Sequence, residues 1–182
     1  MYTAFFDTCV LYSSNLRDVL LSCATDRYAV RWSPHVLAAL RRELAEVTHA
    51  DLDWLFDQMA THFPEASVTG YEGLIDSMTN HARDRHVLAA AIVSGADVLV
   101  TDNVRHFPAE SYAEQDLMVQ TADAFLADQF HGHPELCIRN LEIMCARRQR
   151  KPNTIESVLE KLSRLSPPAS AFIAAVRNRR HA

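Results

Sequence analysis

The sequence predicts an α/β fold with a mostly parallel sheet, followed by a helical appendage. Short apolar runs typical of buried strands occupy residues 2–6, 97–101 and 117–120, and segments with helical periodicity separate them. This alternation stops near Phe130, and only helical patterns follow. We therefore expect a three-layer α/β/α domain over residues 1–130 and an all-helical extension over residues 131–182.

The elements are delimited by residues with known positional preferences. Asp7 stops the first strand, and Ser33 followed by Pro34 is the cap and first-residue pattern of a helix. Gly95 ends a helix that leads directly into the strand at 97–101. Residues 68–70 are expected to form a further short strand. The predicted helices cover residues 10–23, 34–47, 50–62, 82–94 and 122–130, and three more begin near Pro134, Pro152 and Ala169.

Composition and charge exclude several classes of protein. The chain has 182 residues, of which 48% are hydrophobic and 23% charged, as expected for a soluble globular protein rather than a disordered one. No apolar run approaches the roughly 20 residues of a membrane span, and the first residues lack a basic signal-peptide region. A cytoplasmic location without membrane association is therefore expected. The net charge of −5 argues against a protein that coats nucleic acid through its overall charge.

Four carboxylates occupy positions where a carboxylate needs a partner. Asp7 and Asp102 each follow a predicted parallel strand, and ligands bind outside the carboxyl ends of such strands. Asp84 and Glu43 lie on or beside the apolar stripes of two helices. A bound Mg²⁺ or Mn²⁺ would relieve the repulsion among clustered acids and support phosphodiester hydrolysis. Each acid also has a local explanation, as a turn residue, a first-turn helix residue or a partner of a neighbouring arginine.

Three segments of the chain carry a family resemblance. FFDTCVLY at residues 5–12, DRHVLAAA at 84–91 and VTDNVRHFP at 100–108 together resemble a PIN domain, and in particular the toxin nucleases of bacterial VapBC toxin–antitoxin pairs. The resemblance implies a Mg²⁺- or Mn²⁺-dependent endoribonuclease, usually dimeric, that cuts structured RNA such as tRNA and is neutralised by a small DNA-binding antitoxin. Asp7 and Asp84 match the family's metal-site aspartates. The C-terminal helices resemble those of a subset of PIN proteins.

Two positions depart from the family pattern. Ala39 stands where the family usually has its glutamate, and His106 stands where its last acid often falls. Glu43 lies one helical turn after Ala39, on the same helix face, so Glu43 and Asp102 are candidate replacements. We therefore assign Asp7, Asp84 and Asp102 as metal ligands and Glu43 as a fourth catalytic acid. The alternative is a catalytically weakened PIN-fold protein that binds RNA or a partner.

Three further residues are candidate RNA contacts. Arg85 and Arg105 flank the acids in sequence, and guanidinium groups at the rim of a cleft bind phosphates. Asn103 matches a residue that the family commonly shows in this loop, where its amide could orient water or a ligand. An ordinary solvated surface for the arginines and an Asx-type turn for Asn103 are the open alternatives.

Overall fold

A parallel sheet organises the first part of the chain. The computed structural model describes residues 2–181, and within them four short strands form one sheet: β1 (Thr3–Phe6), β2 (Ala29–Arg31), β3 (Val98–Val100) and β4 (Met118–Gln120). Their order is β2-β1-β3-β4, and every neighbouring pair is parallel. The central strands β1 and β3 pair so that Phe6 lies opposite Val100. The residues that follow these two strands therefore leave the same edge of the sheet.

Helices connect the strands and continue after the last one. The α-helices are α1 (Thr8–Tyr12), α2 (Ser14–Cys23), α3 (Pro34–Val47), α4 (Leu52–His62), α5 (Arg85–Val93), α6 (Ala122–Gly132), α7 (Pro134–Arg147), α8 (Ile155–Leu162) and α9 (Ser170–His181). Four short 3₁₀ segments lie at Glu72–Ser77, Ala82–Asp84, Val104–His106 and Ala109–Ser111. Over residues 2–181, no helix has the length and apolarity to cross a membrane.

Local capping explains where several helices begin. The Ser33 hydroxyl accepts a hydrogen bond of 3.2 Å from the Val36 amide, and Pro34 occupies the first turn of α3. Ser13 accepts in the same way from Leu16 N–H, so the predicted helix over 10–23 is divided into α1 and α2. A reciprocal capping box between Thr154 and Ser157 starts α8 after Pro152.

The chain forms two compact units. The first comprises the residues up to Tyr12 together with Tyr28–Gln120, and it contains the sheet. The second comprises Ser13–Arg27 together with the residues from Thr121 onward. In this second unit α2 packs against α7 and α8, while α6 packs against α7 and α9. Its fully buried side chains include Leu20, Leu126, Leu159 and Phe172.

The predicted fold class is confirmed, with local corrections. The sheet is parallel and flanked by helices, as an α/β/α sandwich requires. The expected strand at 68–70 is absent from the described residues, where Ser67 instead forms a single bridge to Trp32. Strand β2 was not predicted, because three residues are too few to show a period. The division into residues 1–130 and 131–182 stays a prediction about domains, and the structure adds residues 13–27 to the second compact unit.

Candidate functional site

Asp7 is a buried carboxylate at the carboxyl end of β1. Its side chain is 4% exposed, and three donors from nearby residues satisfy it. Oδ1 accepts a hydrogen bond of 2.6 Å from the Thr8 amide. Oδ2 accepts one of 2.7 Å from the Thr101 hydroxyl and a weaker one of 3.4 Å from the Cys9 thiol. Asp7 is therefore held in one orientation by β1, the start of α1 and the end of β3.

The environment of Asp7 favours its neutral form. Burial raises the pKa of Asp7 above its ordinary value of 3.8, and the hydrogen bonds from Thr101, Thr8 and Cys9 oppose that rise. The negative charge of Asp84 raises the pKa of Asp7 further. The two family-matched aspartates thus interact electrostatically. A cation placed near both would favour the ionised form of Asp7.

Asp84 lies in a cluster with two histidines. His106 Nδ1 is 2.6 Å from Asp84 Oδ2, and His81 Nδ1 is 3.6 Å from the same oxygen. The two imidazole rings are stacked, with centroids 4.2 Å apart and planes inclined by 15°. Within the described part of the chain, these three residues are the set whose potential metal-ligand atoms all lie within 4.8 Å of one another.

Backbone hydrogen bonds hold this cluster together. The His81 amide donates to the His106 carbonyl at 3.0 Å, and the Asp84 amide donates to the His81 carbonyl at 2.9 Å. The His106 amide in turn donates to the Asn103 carbonyl at 2.8 Å. The loop after β3 and the segment before α5 are thereby fixed against each other. The positions of all three side chains follow from these backbone contacts.

The cluster has a composition that can hold a divalent cation. Zinc bonds to imidazole nitrogen and carboxylate oxygen are about 2.0–2.2 Å long, which places adjacent ligand atoms roughly 3.0–3.6 Å apart. The 3.6 Å between His81 Nδ1 and Asp84 Oδ2 falls in that range. The 2.6 Å between His106 Nδ1 and Asp84 Oδ2 is a hydrogen-bond distance, and it would lengthen by about 0.4–1.0 Å if an ion replaced the shared proton.

The loop after β3 contacts the start of α1. The Asp102 amide donates to Cys9 Sγ at 3.4 Å, and the Asn103 amide donates to Thr101 Oγ1 at 3.1 Å. Burial, followed by the charge of Asp7, raises the pKa of Cys9 to about 12, so this residue stays a thiol near neutral pH. The structure therefore brings the backbone of Asp102 close to Asp7, and the side chains of Asp102 and Asn103 are partly buried.

The other predicted residues lie outside the histidine–aspartate cluster. Glu43 is exposed on α3, and Ala39, one turn earlier, is partly buried. Arg105 is exposed between Asn103 and His106. Arg85 is partly buried at the start of α5, and its Nε has no hydrogen-bond partner among the described residues. The roles assigned to these residues stay predictions.

The sequence did not single out the histidines as ligands. His106 was noticed only as a departure from an acid, and His81 was not considered, although it lies three residues before Asp84. His35 and His86 form a second histidine pair, with ring centroids 5.3 Å apart. His35 Nδ1 also lies 2.6 Å from the Tyr71 hydroxyl oxygen. Burial lowers the pKa of His86, and His35 lowers it further. His86 is therefore neutral near pH 7.

Two comparisons find known proteins that are similar to this chain. Residues 122–178 match the family model described as "VapC50 C-terminal domain". A protein of Mycobacterium tuberculosis (strain ATCC 25618 / H37Rv), named "Putative ribonuclease VapC50", is 36% identical to the chain over 102 residues. That match covers 56% of this chain and 60% of the relative. No solved structure matches the chain significantly. The resemblance to VapC-type PIN-domain proteins that the sequence motifs predict is thereby confirmed, and it includes the C-terminal extension.

Proposed function

We propose that this protein is a metal-dependent endoribonuclease, the toxin of a type II toxin–antitoxin pair, which hydrolyses RNA phosphodiester bonds. The observation that carries the proposal is the buried carboxylate of Asp7, which the Thr8 amide and the Thr101 hydroxyl hold in place at the carboxyl end of the sheet. Asp7 is buried at the end of β1, and its pKa responds to Asp84 at the start of α5. The proposal is also supported by the relative, whose own name describes a ribonuclease.

The acids have distinct parts in this proposal. Asp7, Asp84 and Asp102 hold the divalent cation, Mg²⁺ or Mn²⁺, and Glu43 completes the ring of acids. When bound, such an ion orients a water molecule and offsets the charge that develops on the phosphate. The Thr101 hydroxyl and the Thr8 amide fix the Asp7 carboxylate, so its orientation does not depend on the ion.

Two arginines and an amide bind the RNA in this proposal. Arg105 is exposed in the loop after β3, next to His106, and is free to contact a phosphate. Arg85 follows Asp84 directly, and its buried Nε lacks a protein acceptor among the described residues. Asn103 positions water or a phosphate oxygen from the same loop. Structured RNA such as tRNA is the proposed substrate class.

The partners and location are proposed on the same basis. The VapC name of the relative points to a small DNA-binding antitoxin as the partner of this chain. We further propose that the protein is a cytoplasmic homodimer. Co-purification of the chain with the product of a neighbouring small gene, followed by measurement of the mass of the complex, tests both proposals.

The function is tested by replacing one carboxylate with its amide. Asp84→Asn is expected to reduce Mn²⁺- or Mg²⁺-dependent cleavage of total RNA by at least about 100-fold and to relieve growth arrest. Asp57→Asn is the matched control, because Asp57 is an exposed aspartate on α4. Far-UV circular dichroism checks that both variants fold. Undiminished cleavage by folded Asp84→Asn would contradict the assignment.

A second candidate function rests on one specific observation. Ala39 is partly buried on α3 where the family usually has its glutamate, and it offers no ligand. A weakened enzyme would then act by binding RNA or a protein. Ala39→Glu distinguishes the two functions, with Ala38→Glu on the exposed side of the same helix as the control. Cleavage by Ala39→Glu but not by the unmodified protein would favour the binding function.

A further inference from the structure

The histidine–aspartate cluster differs chemically from a ring of acids. We propose that His81, Asp84 and His106 form a three-ligand site that selects transition-metal dications of the Mn²⁺ and Zn²⁺ kind over Mg²⁺. The use of that ion in RNA cleavage rests on the proposed function. Binding of the ion by the three side chains does not, and it can be measured without RNA.

The donor atoms determine the expected selectivity. Two of the three ligands are imidazole nitrogens, which suit transition metals, whereas Mg²⁺ requires oxygen ligands and near-ideal octahedral geometry. Affinity for nitrogen-containing sites generally rises from Mn²⁺ towards Cu²⁺, with Zn²⁺ above Mn²⁺. Replacement of a family acid by His106 thus changes the class of ion that fits, rather than only removing a charge.

The number of ligands leaves room for a reactant. Catalytic zinc sites commonly use three protein ligands, often two histidines and one carboxylate, and keep a further position for water or substrate. The cluster supplies that set, and its members lie at the protein surface or only partly buried. His81 is the exposed member, so an ion held there is accessible from solvent.

The cluster is preorganised by the backbone. The His81–His106 and Asp84–His81 amide-to-carbonyl hydrogen bonds fix the three Cα positions, and the stacked rings keep both Nδ1 atoms near Asp84 Oδ2. Ligands that are already in place lose little conformational entropy on binding.

A buried amide next to the cluster is a second observation. Asn80 precedes His81 directly and is 3% exposed, yet neither its Oδ1 nor its Nδ2 has a hydrogen-bond partner among the described residues. Buried amides are almost always satisfied, and water or a ligand commonly supplies the missing bond.

Calorimetry on the full chain tests the proposal. After treatment with a chelator, the protein is titrated with ZnCl₂, MnCl₂ and MgCl₂ in the absence of RNA. We expect Zn²⁺ to bind at least about 100-fold more tightly than Mg²⁺ and Mn²⁺ to bind with an affinity between the two, with one ion per chain. His81→Gln is expected to weaken Zn²⁺ binding at least about tenfold and to leave Mg²⁺ binding unchanged. His49→Gln, which changes an exposed histidine outside the cluster, is the control.

A second variant reverses the preference. His106→Asp restores an acid at this position and is expected to lower the ratio of Zn²⁺ to Mg²⁺ affinity by at least about tenfold. The absorption bands of bound Co²⁺ report the nitrogen ligands directly, and they should change in both variants but not in His49→Gln. Since His81 is exposed, His81→Gln keeps the test valid even if His106→Asp unfolds.

The outcomes separate this inference from the proposed function. Zn²⁺ binding that is equal in His81→Gln and the unmodified protein, or tighter binding of Mg²⁺ than of Zn²⁺, overturns the inference. One Zn²⁺ bound through His81, with no cleavage of any RNA, supports the inference and counts against the nuclease function. Metal-dependent RNA cleavage, together with Zn²⁺ binding that His81→Gln leaves unchanged, overturns the inference and supports the proposed function.

Discussion

The Thr101 hydroxyl is expected to stabilise the protein through the charge of Asp7. Thr101 is fully buried, and it donates a hydrogen bond of 2.7 Å to Asp7 Oδ2. Thr101→Val keeps the branched shape and removes this donor, together with the acceptor that Thr101 Oγ1 offers to the Asn103 amide at 3.1 Å. Hydrogen bonds to charged groups contribute about 1.5–3 kcal/mol, so the free energy of unfolding should fall by about that amount at a pH where Asp7 is ionised.

The loss should depend on pH in a definite direction. The bond from Thr101 lowers the pKa of Asp7, so its removal raises a pKa that burial has already raised. The destabilisation is therefore largest where Asp7 is ionised in the folded protein, and it shrinks as pH falls through the folded-state pKa. Below that value Thr101→Val removes only hydrogen bonds between neutral groups, each contributing about 0.5–1.5 kcal/mol.

Urea denaturation measures both quantities. Unfolding is followed by circular dichroism between about pH 4 and about pH 9, a range that covers a strongly raised carboxyl pKa, with a chelator present so that metal binding does not contribute. Thr8→Val is the matched control, because the Thr8 hydroxyl donates to the neutral Val36 carbonyl at 3.3 Å. A Thr101→Val loss that is the same at both ends of the pH range, or below about 0.5 kcal/mol throughout, would refute the reasoning.

Three other changes test the same structure. Because the pKa of Asp7 is raised in the folded protein, Asp7 contributes stability below pH 3.8, and this contribution is lost as the pH rises through the folded-state pKa. Asp7→Asn removes the titrating group, so its free energy of unfolding should lack this pH dependence. Parallel pH profiles for the variant and the unmodified protein in urea denaturation would contradict this. Asp123→Ala removes the acceptor for the amides of Ala171 and Phe172 at the start of α9, and should lower stability by about 0.5–2 kcal/mol in thermal unfolding. Asp123→Asn keeps one acceptor and should lose less. Ser33→Ala removes the cap of α3 and should cost about 1 kcal/mol by the same measurement, whereas an unchanged midpoint would deny that role.

The sequence predicted those parts of the fold that are marked by strong local signals. Ser33 and Pro34 define the start of α3, and the apolar run that ends at Val100 defines β3. Strand β2 was not predicted, because it has only three residues and so few residues show no hydrophobic period. Its position is determined by its pairing with β1. The break at Ser13 depends on a single side-chain cap, which competes with an otherwise continuous helical pattern.

The two aspartates of the site could be predicted from the sequence, whereas the two histidines could not. Asp7 stands out because it directly follows a predicted parallel strand, and Asp84 because it lies on the apolar stripe of a predicted helix; in the folded protein the charge of Asp84 raises the pKa of Asp7. The contact between His81 and His106 was not predictable, because 25 positions separate them in sequence and only the fold stacks their rings. Their donor atoms converge on Asp84 through the backbone bonds of two loops, and no spacing rule describes such an arrangement.

The early position of α2 has a consequence for biosynthesis. This helix leaves the ribosome well before α7 and α8, the helices that cover it in the second unit. Its apolar residues Leu16, Val19 and Leu20 therefore lack these packing partners until α7 and α8 have been synthesised. A prematurely terminated product that lacks α7 and α8 leaves this apolar face of α2 exposed. Exposed apolar surface makes such fragments prone to aggregation and degradation.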